Sequence, residues 1–145
     1  QAGLIGVKDA PRLGKIYEIE SPLQCGATKY GSSFARAVEM KFGTYSRIMV
    51  SGTASIAPTG KTLYFGDIKK QVELTMQVIG GILKSRGMDF SDTVRSVIYC
   101  MKPEYYAEFL NWQKSNIEIP HTPSYSTVCR GDLMFEVELD AAKSL

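Results

Sequence analysis

The stretch Thr122-Pro-Ser-Tyr-Ser-Thr-Val-Cys-Arg-Gly-Asp-Leu-Met-Phe-Glu-Val-Glu-Leu-Asp-Ala141 decides how this chain is read. Two strand-like runs flank Gly131-Asp132, a dipeptide suited to a two-residue hairpin turn with φ > 0 at the glycine. Such a turn sets a register in which Cys129 opposes Met134, Thr127 opposes Glu136 and Tyr125 opposes Glu138. Opposed residues share a face and strand side chains alternate with period two. Leu133, Phe135, Val137 and Leu139 then form a core face with Val128, while Tyr125, Thr127, Cys129, Glu136 and Glu138 gather on the other. Two carboxylates, a thiol and two hydroxyls are costly to bury without partners, so that second face is either wet or a site.

Upstream, Phe34-Ala-Arg-Ala-Val-Glu-Met-Lys-Phe42 alternates as a strand, Gly43-Thr-Tyr-Ser46 turns, and Arg47–Ile56 returns as a mostly buried strand. Pro58-Thr-Gly60 signals another turn, with a short strand expected at Thr62–Phe65. Asp67 suits an N-cap, and Val72, Met76, Ile79 and Leu83 recur at helical spacing until Gly87, a natural C′ residue. Gly80-Gly81 inside that helix costs about 1 kcal/mol per glycine, which close packing against a strand would offset. Thr93–Met101 is a β-branched strand, and Pro103 opens a second amphipathic helix striped by Tyr106, Phe109 and Leu110. Residues 1–33 read as an irregular arm whose one strand-like piece is Lys15–Ile19, leaving residues 34–145 as the domain. The element order predicts an α+β fold, a mixed sheet of about six strands with two helices on one face. The other face, carrying Met49, Met134 and several valine and tyrosine positions, has nothing left in the chain to cover it and predicts self-association.

The 145 residues suit one compact domain, and a net charge of +2 with dispersed Lys and Arg gives no nucleic-acid footprint. Cys25, Cys100 and Cys129 are odd in number and lack CxxC spacing, so neither a disulfide framework nor a zinc site is expected. A reducing cytoplasm follows as the plain reading. No apolar run approaches a membrane span, and no cofactor motif appears. The chain starts at Gln1, consistent with a piece of a longer protein.

Arg47-Ile-Met-Val-Ser-Gly-Thr53, Gly66-Asp67 with Gln71 and Thr75, Phe109-Leu-Asn111, and Pro123-Ser-Tyr-Ser-Thr-Val128 followed by Glu136-Val-Glu138 resemble the RidA family, also called YjgF or endoribonuclease L-PSP. The resemblance implies a chorismate-mutase-like fold, a homotrimer, and clefts between subunits that take a small carboxylate-bearing metabolite. In members that hydrolyse imines, a Pro-x-Arg-Ser motif clamps the substrate carboxylate. Here Tyr125 stands at that arginine, Thr127 where many members have cysteine, and Val78 where asparagine is common. Cys129-Arg-Gly-Asp-Leu-Met-Phe-Glu136, with Gly52-Thr-Ala-Ser-Ile56 and Phe34-Ala-Arg36, is also similar to the C-terminal part of the chorismatases. There a cysteine and a glutamate seven residues apart sit in the pocket, and the resemblance implies proton donation by Glu136.

The candidate catalytic residues are accordingly Glu136 and Cys129. The candidate ligand-binding residues are Phe34, Arg36, Ser51, Gly52, Thr53, Asn111, Tyr125, Thr127 and Arg130. Each has a plainer reading: Glu136 as a carboxylate bound to backbone, Cys129 as a small apolar wall, Arg36 and Arg130 as solvated cations. His121, in a loop between prolines, reads as exposed and unfit for a triad. Trp112 reads as a subunit contact. Two function classes stay open: an enzyme acting on a small carboxylate by hydrolysis or chorismatase-like elimination, and a non-catalytic ligand-binding or assembly module.

Overall fold

The computed structural model describes residues 14–31 and 33–145. Residues 1–13, the first part of the expected arm, lie outside the described residues. In chain order the elements are β1 (Lys15–Ile19), β2 (Ala37–Lys41), β3 (Tyr45–Ala54), α1 (Ile68–Lys84), β4 (Thr93–Cys100), α2 (Tyr106–Ser115), β5 (Thr122–Tyr125) and β6 (Phe135–Ser144). Among the described residues the strands form one six-stranded sheet in the order β1-β2-β3-β6-β4-β5, in which β4 and β5 are parallel and the other neighbours antiparallel. The α+β class with two helices over one face is as expected.

α1 forms where its local signals place it, whereas Pro103 opens a short 3-10 turn, Pro103–Tyr105, and α2 begins only at Tyr106. The Asp67 side chain accepts from the Lys70 amide (3.0 Å), an N-cap worth about 1 kcal/mol. At the far end Gly87 has φ 70°, and the Met88 amide returns to the Leu83 carbonyl (3.1 Å), tying off the last turn. Gly80 and Gly81 are explained by contact: a Cβ at position 80 would press on the Phe90 ring, and one at 81 on Pro22. The close neighbours are a ring and a loop rather than a strand. Val72, Met76, Ile79 and Leu83 of α1 and Phe109 of α2 pack on Ile48, Val50, Ile98, Phe135, Val137 and Leu139 of the sheet in one buried cluster.

The expected hairpin across Gly131-Asp132 does not form. β4 lies between β5 and β6, so Tyr125 is in register with Cys100, and Glu136 with Tyr99 and with Ala54. A turn does form there, the Leu133 amide bonding the Arg130 carbonyl (3.2 Å), but Gly131 has no positive φ and the flanking runs do not pair across it; β5 stops at Tyr125 after four residues. The α2 crossover joins β4 to β5 as a parallel pair, and β6 fills the gap between β3 and β4. Leu133 does pack with Val128, in a separate small cluster with Ala54 and Ile56. The strand expected at Thr62–Phe65 reduces to a single bridge between Ile56 and Thr62, because Tyr64 turns to φ 57°.

The helix-free face carries half-buried Val38, Met49, Val97 and Tyr99. Charges run among them: Arg47 bonds Asp140 (2.6 Å), and Arg95 approaches Glu138 (3.8 Å) and Asp140 (3.9 Å). Met134, expected on this face, is instead buried within the chain, where its amide donates to Gln71 Oε1 (2.9 Å).

Candidate functional site

One irregularity in β3 shapes the site. Val50 pairs with Leu139 and Thr53 with Val137, so three residue steps on β3 match two on β6, a β-bulge. The extra residue shifts the alternation beyond it. Thr53 falls on the helix side, fully buried, its hydroxyl donating to the Ser51 carbonyl (2.8 Å). Ala54 then pairs with Glu136 on the helix-free face. At Gly52 the backbone lies so close to Glu136 that an added Cβ would collide with Oε1.

Around this point lies a cavity of about 290 Å³, lined by Phe34, Arg36, Gly52, Cys129, Arg130 and Glu136, with Ala54 and Ile56 at its apolar side. Arg36 is 3% exposed; its Nε donates to the Cys25 carbonyl (3.1 Å), and its guanidinium lies 5.4 Å from the Phe34 ring centroid. Arg130 donates from Nη1 to the Gly60 carbonyl (2.7 Å). These backbone contacts hold both cations in place rather than leaving them to sweep solvent. Burial, and then the charge of Glu138, push the Glu136 pKa upward. Burial and then the Glu136 charge also raise the Cys129 thiol, against the opposing pull of Arg130. Cys129 is thus a protonated thiol at neutral pH and a poor nucleophile.

Six of the eleven residues singled out in the sequence meet in this hollow, and five do not. Thr53 is in the core for the reason given. Ser51 gives its hydroxyl to the Ala35 carbonyl (2.7 Å), bracing the strand. Tyr125 ends β5 opposite Cys100, half exposed and near Tyr106, so it does not share a face with Glu136. Thr127 is exposed in the loop that follows. Asn111 lines a different hollow, of about 580 Å³, between α1 and α2 with Lys69, Glu73 and Glu108. That larger hollow brings together mostly surface side chains over the core residue Val72, whereas the smaller one is lined by a carboxyl of altered acidity and by two guanidiniums. Chemistry, not size, selects the candidate site.

One expectation about a neighbouring residue changes. His121 is half-buried: its Nε2 meets the Tyr106 hydroxyl (2.6 Å), its Nδ1 donates to the Ile119 carbonyl (2.8 Å), and the ring packs edge-on to Phe109. Trp112 packs against Phe90 and Phe109 within the chain. Gln24 went unnoticed in the sequence. It is 6% exposed and donates from Nε2 to the Ala54 (2.8 Å) and Ile56 (3.0 Å) carbonyls, fixing the apolar wall of the cavity. No local signal marks a lone glutamine in a loop as such a clamp.

Among the described residues no helix is long and apolar enough to cross a membrane. No curated protein matches the chain in sequence. Solved structures do resemble it. A chorismatase superposes with a TM-score of 0.75 at 22% identity, over 88% of this chain but 44% of the chorismatase. RidA from an Antarctic Psychrobacter gives 0.70 at 16% identity, over 86% of this chain and 98% of that one. Escherichia coli TdcF with bound serine gives 0.70 at 16% identity, covering 88% and 99%. At these identities the likeness speaks for the fold alone. The sequence profile of the endoribonuclease L-PSP family, the RidA or YjgF family, matches residues 31–142. With that match running from before β2 into β6, on a sheet and helix layer of the same design, the chain belongs to the endoribonuclease L-PSP family.

Proposed function

We propose that the chain is a homotrimeric protein that binds a small carboxylate-bearing metabolite in the cavity at Phe34, Arg36, Gly52, Arg130 and Glu136, with a neighbouring copy completing the cleft. The observation that carries this reading is the meeting of two guanidiniums with a carboxyl of raised pKa in one hollow. Guanidinium forks suit carboxylate recognition. A carboxyl that holds its proton more tightly than usual suits donation to a leaving oxygen, so Glu136 acts as general acid in hydrolysis or a chorismatase-like elimination. Cys129 serves as a neutral wall beside it. Threefold association is supported by the half-buried apolar side chains on the helix-free face. The three free thiols support a cytoplasmic setting.

The test is a thermal-shift and calorimetric screen of pyruvate, 2-oxobutyrate, serine and chorismate against the parent chain and Arg130→Ala, with turnover assayed in the parent and Glu136→Gln. A ligand that binds the parent, weakens in Arg130→Ala and is turned over only when Glu136 is present supports the enzyme reading. The absence of any carboxylate ligand refutes it. A second reading, a non-catalytic binding module, is favoured by Tyr125 in place of the clamping arginine, and binding without turnover would support it.

A further inference from the structure

Gly52 is not a glycine for its backbone: among the described residues the positive-φ glycines are Gly14, Gly31, Gly60, Gly66 and Gly87, and Gly52 is not one of them. Any residue could adopt its conformation. What a side chain there would lack is room, because its first carbon would collide with Oε1 of Glu136 and press on Cδ. The nearest atoms belong to the tip of a flexible side chain rather than to backbone. Conflict would be relieved by moving Glu136, not by breaking the sheet.

We propose that Gly52 is a positioning residue: the bare backbone of the β3 bulge is what lets the Glu136 carboxyl lie back against the sheet inside the cavity. This deepens the reading of Glu136 as proton donor and rests on it for its functional meaning. The bulge and the glycine work together. The bulge turns position 52 toward β6, and the missing side chain leaves a recess one carboxyl deep. In that recess the carboxyl is shielded from water, in line with the direction of its acidity change. The groups facing Glu136 are Glu138 on its own strand, Tyr99 on β4, Arg36 ahead of β2, and Cys129 and Arg130 in the loop before β6. β3 presents Gly52 and Ala54, neither of which titrates. A side chain at position 52 would therefore change the hydration of Glu136 without adding or removing a charge.

The test is a carbon-13 NMR titration of the Glu136 carboxyl in the full chain, assigned by its loss in Glu136→Gln. In Gly52→Ala the titration midpoint is expected to fall toward the ordinary glutamate value of about 4.3 as the carboxyl is pushed out into water. Adding Glu136→Asp, one methylene shorter, removes the conflict, so the Asp midpoint should be the same with and without Gly52→Ala. A folded Gly52→Ala chain whose Glu136 midpoint stays in place overturns the proposal. Should Gly52→Ala not fold, Gly52→Ala/Glu136→Ala must recover the parent melting profile, and a double variant that stays unfolded overturns it equally. No ligand enters this experiment, so its outcome is separate from whether a carboxylate binds.

Discussion

Gln71 offers the most direct test of how the site is held. It is fully buried, and its side-chain amide is used on both sides: Nε2 donates to the carbonyls of Tyr64 (3.2 Å) and Asp132 (3.1 Å), and Oε1 accepts from the Met134 amide (2.9 Å). One residue of α1 thus ties together the turn after β3 and the entry to β6. Gln71→Met keeps the volume and removes all three bonds. An orphaned buried amide at Met134 costs about 2 kcal/mol and each partly buried carbonyl about 0.5–1 kcal/mol, giving a loss of about 3–4 kcal/mol. With an unfolding entropy of about 2.1 cal/mol/K per residue, a 145-residue chain loses about 10 °C of melting temperature. Urea unfolding and calorimetry of the two chains measure it. A loss below about 1 kcal/mol would refute the reasoning, since the three groups would then be finding other partners.

Three further outcomes follow from the site and the open sheet face. Because burial and Glu138 raise the Glu136 pKa, the folded chain binds that proton more tightly than the unfolded one, and stability falls as pH rises from the unfolded value of about 4.3 through the folded pKa. Glu136→Gln should be more stable than the parent above this window and lose the advantage below it; a difference that does not vary with pH would count against the burial argument. Light scattering should return a trimer for the parent and a folded monomer for Met49→Lys, which puts a charge in the helix-free face, while a monomeric parent would end the trimer reading. Lacking the clamping arginine at Tyr125, the chain should hydrolyse 2-iminopropionate-type substrates about a hundredfold or more slower than arginine-bearing relatives, from about 3 kcal/mol of lost carboxylate binding. Full-rate turnover in a coupled assay would contradict it.

The elements that were legible in the sequence are those decided within a few residues. Asp67, the apolar spacing after it and Gly87 define α1 without reference to anything distant. The turn at Gly43 similarly defines β2 and β3. The partner of β6 was not legible, because alternation says which residues share a face and not which strand lies beside them. Gly131-Asp132 offered a local turn, yet β6 gains eight paired positions with β3 and seven with β4 by going elsewhere. The site divides the same way. Cys129 and Glu136 line one hollow, although the hairpin register that put them on one face does not form. Tyr125 was placed beside Glu136 only through the hairpin that does not form, and Thr53 was misplaced by a one-residue bulge that no residue type announces.

The central place of β6 also bears on how the chain is made. A chain made only as far as Tyr125 lacks the strand that joins β3 to β4 in the sheet order, so β1 to β3 on one side and β4 with β5 on the other have no pairing between them. Only residues 135–144 can close that gap, pairing on one side with β3, from 82 positions upstream at Ala54–Glu136 to 99 at Tyr45–Ser144, and with β4 on the other. Long-range closure of this kind is slow, and two open edges held through it invite pairing between nascent chains. A nonsense change just after Tyr125 should accordingly yield insoluble protein instead of a smaller folded one, and the loop before β6, whose Cys129 and Arg130 line the cavity, should take up that position only once the sheet is finished.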